Sequence, residues 1–385
     1  METALERCFS ASLDHERIIH QHQQVHLQMK NPALSIIMPT YNRPDETKEM
    51  IESVIASTFG DWELIIVDDG SDKQTLSLLA SYADTDKRIH LHQRTRLPKG
   101  AQTCRNTGFE LSQGQYVIFF DSDDYVCPQC IGQRVMYMQQ NPDVDFIVFP
   151  SASMDENGLH ENTWCNNFGY CVNKDDIQAF ASRRLPFVVW NNIYRRSSLK
   201  KHGICWDEQL KSFQDSDFNL ATLLSGMKYR YAKQLPLFYY RIPLKRQGNT
   251  SIVGEMFAKS SHQQSHIYLT QKWLNTIPQH FGHKYDKYIY DGIIFIIRFH
   301  HENSHSWHMA HELCKIMKNY SQWMWIKLNI HTKLGELFQT ILPPSKAFTL
   351  AFLPYKIRDW IKAKERIHRI KTIYYHNKKS NQHVP

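Results

Sequence analysis

The chain has 385 residues, 42% of them hydrophobic and 12% aromatic, which is enough apolar side chain to bury a large core and argues against a disordered protein. The net charge of +8 lies at one end, since residues 341–385 contain ten basic and two acidic side chains while residues 1–340 contain 36 of each. We expect neither a secretory signal nor a membrane-spanning helix, because the first residues include acids and no run approaches the ~20 apolar residues that spanning requires. Eight scattered cysteines fit reduced thiols, so the composition predicts a cytoplasmic protein.

The predicted elements divide the chain into four regions. Residues 1–32 are polar and rich in Gln and His, and we interpret them as a solvated arm because no carboxylate or Cys joins the histidines at metal-ligand spacing. Residues 33–245 alternate apolar strands (LSIIMP, WELIIV, RIHLHQ, QYVIFF) with amphipathic helices, which predicts an α/β fold with a mostly parallel sheet covered by helices on both faces. Residues 246–342 are helical in pattern, and residues 343–385 form a basic tail.

Polar side chains follow three of these strands at the point where each strand ends. The first strand is followed by TYNR, the second by DDGS and the fourth by DSDD. Because the carboxyl ends of parallel strands border a ligand crevice, we expect these side chains to form a site. The three carboxylates Asp121, Asp123 and Asp124 repel one another, so either a cation lies between them or they form a solvated acidic turn.

Four linked motifs, SIIMPTYNR, ELIIVDDGSDK, KGAQTCRNTG and GQYVIFFDSDD, resemble those of glycosyltransferase family 2 in order and spacing. The similarity covers about residues 34–241 and implies the GT-A fold, a nucleotide-sugar donor that is usually a UDP-sugar, and inversion at the anomeric carbon. It also implies a divalent cation, Mn(II) or Mg(II), of the kind that carboxylates hold against a diphosphate. By this resemblance Asp123 ligates the cation, and Asp121 lies beside the ribose or reaches the cation through water.

The resemblance also implies which side chains bind the donor. Asp69 is expected to accept from the uracil N–H, with Asp68 close behind, and Tyr41 offers a ring for the base. Arg105 is expected to bind the base or the phosphates, and its alternative interpretation is a charge on a helix surface. The full predicted donor-binding set is Thr40, Tyr41, Asn42, Arg43, Asp68, Asp69, Arg105, Asp121 and Ser122.

An inverting transfer needs a general base for the acceptor hydroxyl. Family members usually carry a Glu-Asp pair in a helix after the sheet, and in SFQDSDFNL a Gln replaces the Glu, so Asp215 falls at the expected base and Asp217 is the fallback. The upstream stretch VVWNN resembles the segment that lines the acceptor pocket, which makes Trp190 and Asn191, together with Asp217, the acceptor candidates. Trp190 as an ordinary core residue is the alternative. Arg241 is a further candidate for the diphosphate.

The basic tail carries an apolar stripe. After Pro354 five apolar residues recur at spacings of 3, 4, 3 and 4: Trp360, Ala363, Ile367, Ile370 and Tyr374. Basic residues surround this stripe. A basic amphipathic helix with Trp and Tyr indicates an anchor on an anionic membrane surface. The first alternative is a helix that packs on its own domain. Nucleic-acid binding is the least favoured of the three interpretations, and we therefore expect no nucleic-acid partner.

These features together predict a metal-dependent inverting glycosyltransferase at the inner face of the cell membrane. It would move one sugar from a UDP-hexose or UDP-N-acetylhexosamine to a glycan acceptor, lipid-linked, in bacterial surface-polysaccharide synthesis. The alternative is a catalytically degenerate GT-A domain that serves as a membrane-docked scaffold.

Overall fold

The computed structural model describes residues 31–161, 167–242 and 260–381. The first 30 residues of the predicted polar arm therefore lie outside the described residues. Within the described part, seven strands form a central sheet in the order β10-β6-β9-β4-β1-β2-β3, and only β9 runs against the others. Their bounds are Leu34–Thr40 (β1), Trp62–Asp68 (β2), Ile89–Gln93 (β3), Tyr116–Phe119 (β4), Phe146–Val148 (β6), Asn192–Arg195 (β9) and Tyr229–Tyr231 (β10).

Helices cover both faces of this sheet, which is why every residue of β1 and β2 is buried. Leu64 and Ile66 point to the face that packs against the first helix, whereas Ile65 and Val67 pack against Cys104 on the opposite face. The helices of this region are Pro44–Ile55 (α1), Lys73–Thr85 (α2), Ala101–Leu111 (α3), Cys130–Gln140 (α4), Asp176–Ala181 (α5), Arg196–Lys201 (α6) and Gln214–Leu224 (α7). The predicted fold class is confirmed.

Helix α3 lies unusually close to the sheet because of a glycine. A Cβ added at Gly108 would come within 2.5 Å of Ile37 Cγ2, so only glycine permits this approach without displacing the strand. The close packing of α3 on β1 fixes the position of the side chains that α3 presents at the carboxyl edge of the sheet.

A second, smaller sheet borders the end of β4. It contains Tyr125–Val126 (β5), Ala152–Asp155 (β7), Gly158–His160 (β8) and Phe238–Arg241 (β11), in the order β5-β11-β7-β8. Because β5 follows the acidic DSDD loop directly, its pairing with β11 holds one end of that loop.

The C-terminal part is helical, as predicted. Its helices are Ser260–Phe281 (α8), Asp286–Ser304 (α9), His308–Tyr320 (α10), Gln322–Gln339 (α11), Pro344–Ala351 (α12) and Leu353–Asn381 (α13). Within the described residues, no helix has the length and apolar character needed to cross a membrane.

The predicted stripe of the tail helix does not stay on one exposed face. Trp360 and Ala363 are exposed, but Ile370 and Tyr374 are buried against Tyr170 and Val172 of the α/β region. The stripe of period 3.5 drifts around a straight helix of 3.6 residues per turn, so its two ends meet different surroundings. The self-packing alternative therefore describes the second half of α13.

Candidate active site

The polar strand ends after β1 and β2 lie side by side at the carboxyl edge of the parallel strands. Thr40 lies opposite Asp68 in the register of the two strands, and the Asp69 amide donates to the Thr40 carbonyl over 2.8 Å. The loops that follow are also joined, because the Asn42 amide donates to Ser71 Oγ at 2.8 Å. The parallel topology thus brings two of the three predicted polar segments into direct contact.

Two arginines connect the third polar segment, the DSDD loop, to the rest of this edge. Arg105 Nη2 donates to Asp121 Oδ1 at 2.5 Å, and Arg43 Nη1 donates to Asp123 Oδ2 at 2.5 Å. Ser122 lies between these two acids. All three segments therefore meet in one place, with a guanidinium group against each of two carboxylates.

The third carboxylate of the loop is buried and incompletely satisfied. Asp124 Oδ1 accepts from the Arg241 amide at 2.9 Å, while Asp124 Oδ2 has no hydrogen-bond partner among the described residues. The Arg241 guanidinium donates instead to the Asp123 carbonyl at 2.7 Å and to Glu49. Burial, and then the charges of Asp123 and Asp121, raise the pKa of Asp124 well above its ordinary value, and burial together with Asp121 also raises the pKa of Asp123. Of the three carboxylates of the loop, that of Asp124 accepts no hydrogen bond from a guanidinium group of the described residues.

The carboxylate oxygens of the DSDD loop suit a hard divalent cation that takes further ligands from outside the chain. Among the described residues, no group of three or more His, Cys, Asp or Glu side chains is arranged to hold a metal ion. Carboxylate oxygens are nevertheless the ligands that Mg²⁺ and Mn²⁺ prefer, and the raised pKa values at Asp123 and Asp124 are of the kind that a nearby cation lowers. The residues present therefore fit a site that a diphosphate would complete.

Arg105 links the acidic loop to helix α7. It is 5% exposed, its Nη1 donates to Gln214 Oε1 at 3.2 Å, and its guanidinium lies 4.4 Å from the centre of the Trp206 ring. A buried charge is costly unless it is paired and hydrogen-bonded, as Arg105 is here. The interpretation of Arg105 as a charge on a helix surface is therefore wrong. The buried guanidinium joins Asp121 to the first turn of α7.

Asp215 lies in that first turn, in the field of Arg105 and Asp121. Burial raises its pKa from the ordinary 3.8 to about 6, against the lowering effect of Arg105 and with a further contribution from Asp121. Its Oδ1 is buried and has no hydrogen-bond partner in the described parts of the chain. A carboxylate with a pKa near the working pH and a free lone pair is suited to accept a proton.

Asp217, two residues further on, has a different environment. Its carboxylate accepts from Lys272 Nζ at 2.7 Å and from Trp273 Nε1 at 3.0 Å, and Lys272 also contacts Asp207 at 2.6 Å. These contacts join α7 to α8. The structure therefore gives Asp217, named above as fallback base and acceptor residue, a role in packing.

The Asp217→Asn variant should lose stability without losing the chemistry of the site. Removing the charge leaves Lys272 with one carboxylate instead of two, and we expect a cost at the lower end of the roughly 3–5 kcal/mol seen for broken buried ion pairs. Urea denaturation would measure this loss. Turnover per folded molecule should stay within a few fold of the unchanged protein, and a large fall in turnover would contradict the packing role.

The predicted acceptor residues Trp190 and Asn191 are both buried. Trp190 stacks between Phe238 and Tyr240, with ring centres 6.0 and 5.2 Å away and nearly parallel planes. The Asn191 amide donates to the Phe149 carbonyl at 2.8 Å, so its hydrogen-bonding capacity is used inside the core. The core interpretation of Trp190 has the better support, although Tyr240 extends the same stack towards the acidic loop.

The predicted nucleotide-binding residues have internal partners that a ligand would have to share or displace. Asp69 accepts from Arg94 Nε at 2.5 Å, and Asp68 accepts from two backbone amides of its own turn. Tyr41 is 48% exposed, and Lys99 Nζ lies 3.5 Å from the centre of its ring. Thus Asp68 shapes the loop, whereas the exposed Tyr41 ring remains available for stacking on a base.

Three residues of the site were not found from the sequence. Tyr240 is one of them: burial, and then the charges of four nearby acids, raise the pKa of its hydroxyl, and these acids are Asp124, Asp123, Asp121 and Asp215. Arg94 and Lys99 come from the loop after β3 and contact Asp69 and Tyr41 as described. For Tyr240 the sequence offers one signal, the two consecutive tyrosines in the stretch FYYR. Because alternate residues of a strand face opposite sides, one of the two tyrosines must face away from the side that the other faces.

The mostly parallel sheet with polar strand ends at its carboxyl edge has the architecture of a GT-A domain. Residues 35–203 match the model of the family described as Glycosyl transferase family 2. The chain therefore carries a glycosyltransferase family 2 domain, and the resemblance seen in the sequence is confirmed.

Several relatives and solved structures agree with this assignment. YibD of Escherichia coli strain K12, described as an uncharacterized glycosyltransferase, is 30% identical over 234 residues, which are 57% of this chain and 66% of YibD. The putative glycosyltransferase EpsH of Bacillus subtilis strain 168 is 26% identical over 56% of this chain and 62% of EpsH. The matches thus span slightly less than two thirds of either relative. The crystal structure of S. aureus TarS 1–349 in complex with UDP-GlcNAc is similar in fold, with a TM-score of 0.55 and 18% identity over 90% of this chain and 92% of that chain.

Proposed function

We propose that the protein is a metal-dependent inverting glycosyltransferase that transfers one sugar from a UDP-hexose or UDP-N-acetylhexosamine to a glycan acceptor. The observation that carries this proposal is the arrangement around Arg105: its guanidinium contacts Asp121 of the acidic loop and lies beside Asp215, whose pKa is raised to about 6. The same few residues therefore offer carboxylates for a cation and a carboxylate for proton transfer. An inverting transfer requires both functions on opposite sides of one sugar.

The side chains have separable roles in this proposal. Asp123 and Asp121 would hold the cation, which supplies positive charge to the leaving diphosphate. Arg43 and Arg241 border the same loop and would take over part of the phosphate charge as it develops. Asp215 would accept the proton of the acceptor hydroxyl as its oxygen attacks the anomeric carbon, and the bond from that carbon to the phosphate oxygen breaks in the same step.

A UDP-sugar is the donor class that the relatives support. TarS of S. aureus, a poly(ribitol-phosphate) beta-N-acetylglucosaminyltransferase, has been crystallised with UDP-GlcNAc and with UDP. In our proposal the exposed Tyr41 ring stacks on the base and Asp69 accepts from its N–H. The acceptor in our proposal is a glycan of a bacterial surface polysaccharide, carried on a lipid.

Thermal unfolding with a panel of nucleotides tests this proposal. With Mn²⁺ present, UDP and one UDP-sugar should stabilise the protein by about 2.7 kcal/mol at a hundred times their dissociation constant, and EDTA should remove most of this effect. GDP-mannose serves as the control for base selectivity. Absence of any nucleotide shift in a folded sample would instead support the degenerate-scaffold alternative.

A further inference from the structure

Helix α11 exposes a continuous apolar stripe. Five large apolar side chains of the helix, and a sixth two residues beyond its end, follow one another at spacings of 3, 4, 4, 3 and 4, and between 38% and 75% of each is exposed: Trp323, Ile326, Ile330, Leu334, Leu337 and Ile341. The opposite side of the helix packs inward through Met324, Leu328 and Thr332. A helix of a soluble monomer normally turns polar residues to solvent, so this stripe requires a partner.

The start of α13 continues this apolar surface. Leu353, Ile357 and Trp360 recur one and two turns apart and are each at least 41% exposed. The two helices are neighbours, because His331 of α11 contacts the Ala351 carbonyl at 2.6 Å, just before α13 begins. We call the six side chains of the α11 stripe, Ile341 included, together with Leu353, Ile357 and Trp360 the C-terminal apolar face.

Positive charge surrounds this face. Residues 322–364 contain seven basic and two acidic side chains. Both acids are already paired, Glu336 with His311 and Asp359 with the half-buried Arg184 and Arg298. Each exposed tryptophan carries a lysine on its ring: Lys327 lies 5.1 Å from the Trp323 ring centre, and Lys364 lies 3.7 Å from the Trp360 ring centre.

A cavity of about 350 Å³ opens beside Trp323. Three basic side chains line it, Lys287, Lys327 and Arg358, together with the acids Asp286 and Asp291. Arg358 pairs with Asp291 and His283 with Asp286, whereas the two lysines form no ion pair with a described residue. The Tyr290 hydroxyl also lines the cavity, is buried, and has no hydrogen-bond partner in the described ranges. Burial, and then the nearby Arg358, lower the pKa of Lys327 against the raising effect of Asp291, so an anion beside the two lysines would reduce the repulsion between the basic groups.

We propose that the C-terminal apolar face docks on an anionic lipid bilayer, with the cavity taking up the phosphate of a lipid headgroup. Tryptophans paired with lysines around an apolar stripe match the boundary between acyl chains and headgroups. A second copy of the chain fits less well, because the same cations would face one another across a two-fold interface and interface cores are depleted of charge. The proposed face shares Trp360 with the stripe expected in the tail but lies mainly on α11, whereas the second half of the tail stripe is buried.

Vesicle flotation tests this proposal independently of sugar transfer. The full chain should float with vesicles of phosphatidylcholine and phosphatidylglycerol and much less with phosphatidylcholine alone. The double variant Ile326→Ser, Ile330→Ser should lower binding at least tenfold, while Leu97→Ser, Leu159→Ser changes exposed apolar residues elsewhere and should not. All four side chains are largely exposed, so the folded state should survive each change.

The charge contribution has its own matched pair of variants. Lys327→Ala with Lys364→Ala should weaken binding by about fivefold per charge, whereas Lys378→Ala with Lys379→Ala at the exposed end of α13 should have a smaller effect. Equal losses in the two pairs, or equal binding to both vesicle types, would overturn the proposal. So would a dimer in sedimentation equilibrium that the Ile326→Ser, Ile330→Ser variant dissociates. Nucleotide-dependent stabilisation is measured separately, so failure here leaves the proposed transfer standing.

Discussion

The Asp215→Asn variant should lower sugar transfer by about three orders of magnitude while leaving the protein folded. Asn keeps the shape of the side chain but cannot accept the proton of the acceptor hydroxyl, and a positioned base contributes roughly 10²–10⁴-fold to the rate. Initial rates with a saturating donor would measure the loss. Asp217→Asn is the matched control, because it makes the same chemical change two residues away on the same helix.

The two variants should also differ in stability, because only Asp217→Asn should be less stable than the unchanged protein. The raised pKa of Asp215 means that its carboxylate is less favourable in the folded than in the unfolded protein at neutral pH. The stabilising effect of its proton is present below about pH 4 and is lost as the pH rises through about 6. Asp215→Asn should therefore be no less stable than the unchanged protein at pH 7, whereas Asp217→Asn should be clearly less stable.

The same pKa predicts the acid limb of the pH profile. Asp215 must be deprotonated to act, so kcat/KM should fall about tenfold for each pH unit below about 6. If Asp215→Asn retained most of the activity, or if Asp217→Asn lost it, the assignment of the base would be wrong.

The Asp123→Asn variant should remove the metal dependence of nucleotide binding. The amide retains one oxygen but no charge, and we expect kcat/KM to fall at least about a hundredfold, since even changes to the partners of metal ligands cost 10–100-fold. UDP should then stabilise the protein to the same small extent with Mn²⁺ and with EDTA. Thermal unfolding over a Mn²⁺ titration would measure this.

The fold of this variant should be preserved, because the Asp123 carboxylate is destabilised by burial and by Asp121. Asp143→Asn is a suitable control: it removes the same charge from an exposed surface pair with Arg230 and should change neither metal dependence nor rate. An unchanged Mn²⁺ response in Asp123→Asn would show that the cation, if one is used, is held elsewhere.

The fold could be predicted because its determinants are local in sequence. The strands around LSIIMP and WELIIV are continuous apolar runs, as parallel strands buried on both faces must be, and the Asp72 N-cap and the glycines around α3 mark helix ends. The direction of each strand was harder to predict than its position. Strand β9 runs antiparallel between β4 and β6, and nothing in its own residues distinguishes it from its neighbours.

The candidate site could be predicted in part. The positions of the strand ends follow from topology, so the meeting of Thr40, Asp69 and Asp121 was accessible from the sequence. Which polar groups are already used internally was not, because that depends on contacts between residues about a hundred positions apart. The Arg105–Gln214 hydrogen bond is one such case.

The tail illustrates the same limit. Its spacing correctly indicated an amphipathic helix, but the stripe of α11 was overlooked because its apolar residues are mixed with those of the buried side. Burial of Ile370 depends on Tyr170, two hundred positions earlier, which no local pattern reveals.

The packing of α13 on the α/β region has a consequence for the order in which the chain folds. Arg366 and Arg369 donate to backbone carbonyls of Asn167 and Val172, and Tyr374 donates to Glu161, so these contacts close loops of about two hundred residues. Such loops are slow to close, and during synthesis α13 leaves the ribosome about two hundred residues after the segment that it covers. The surface around Tyr170 thus stays uncovered until α13 has emerged, and the nascent α/β region must remain soluble without this helix.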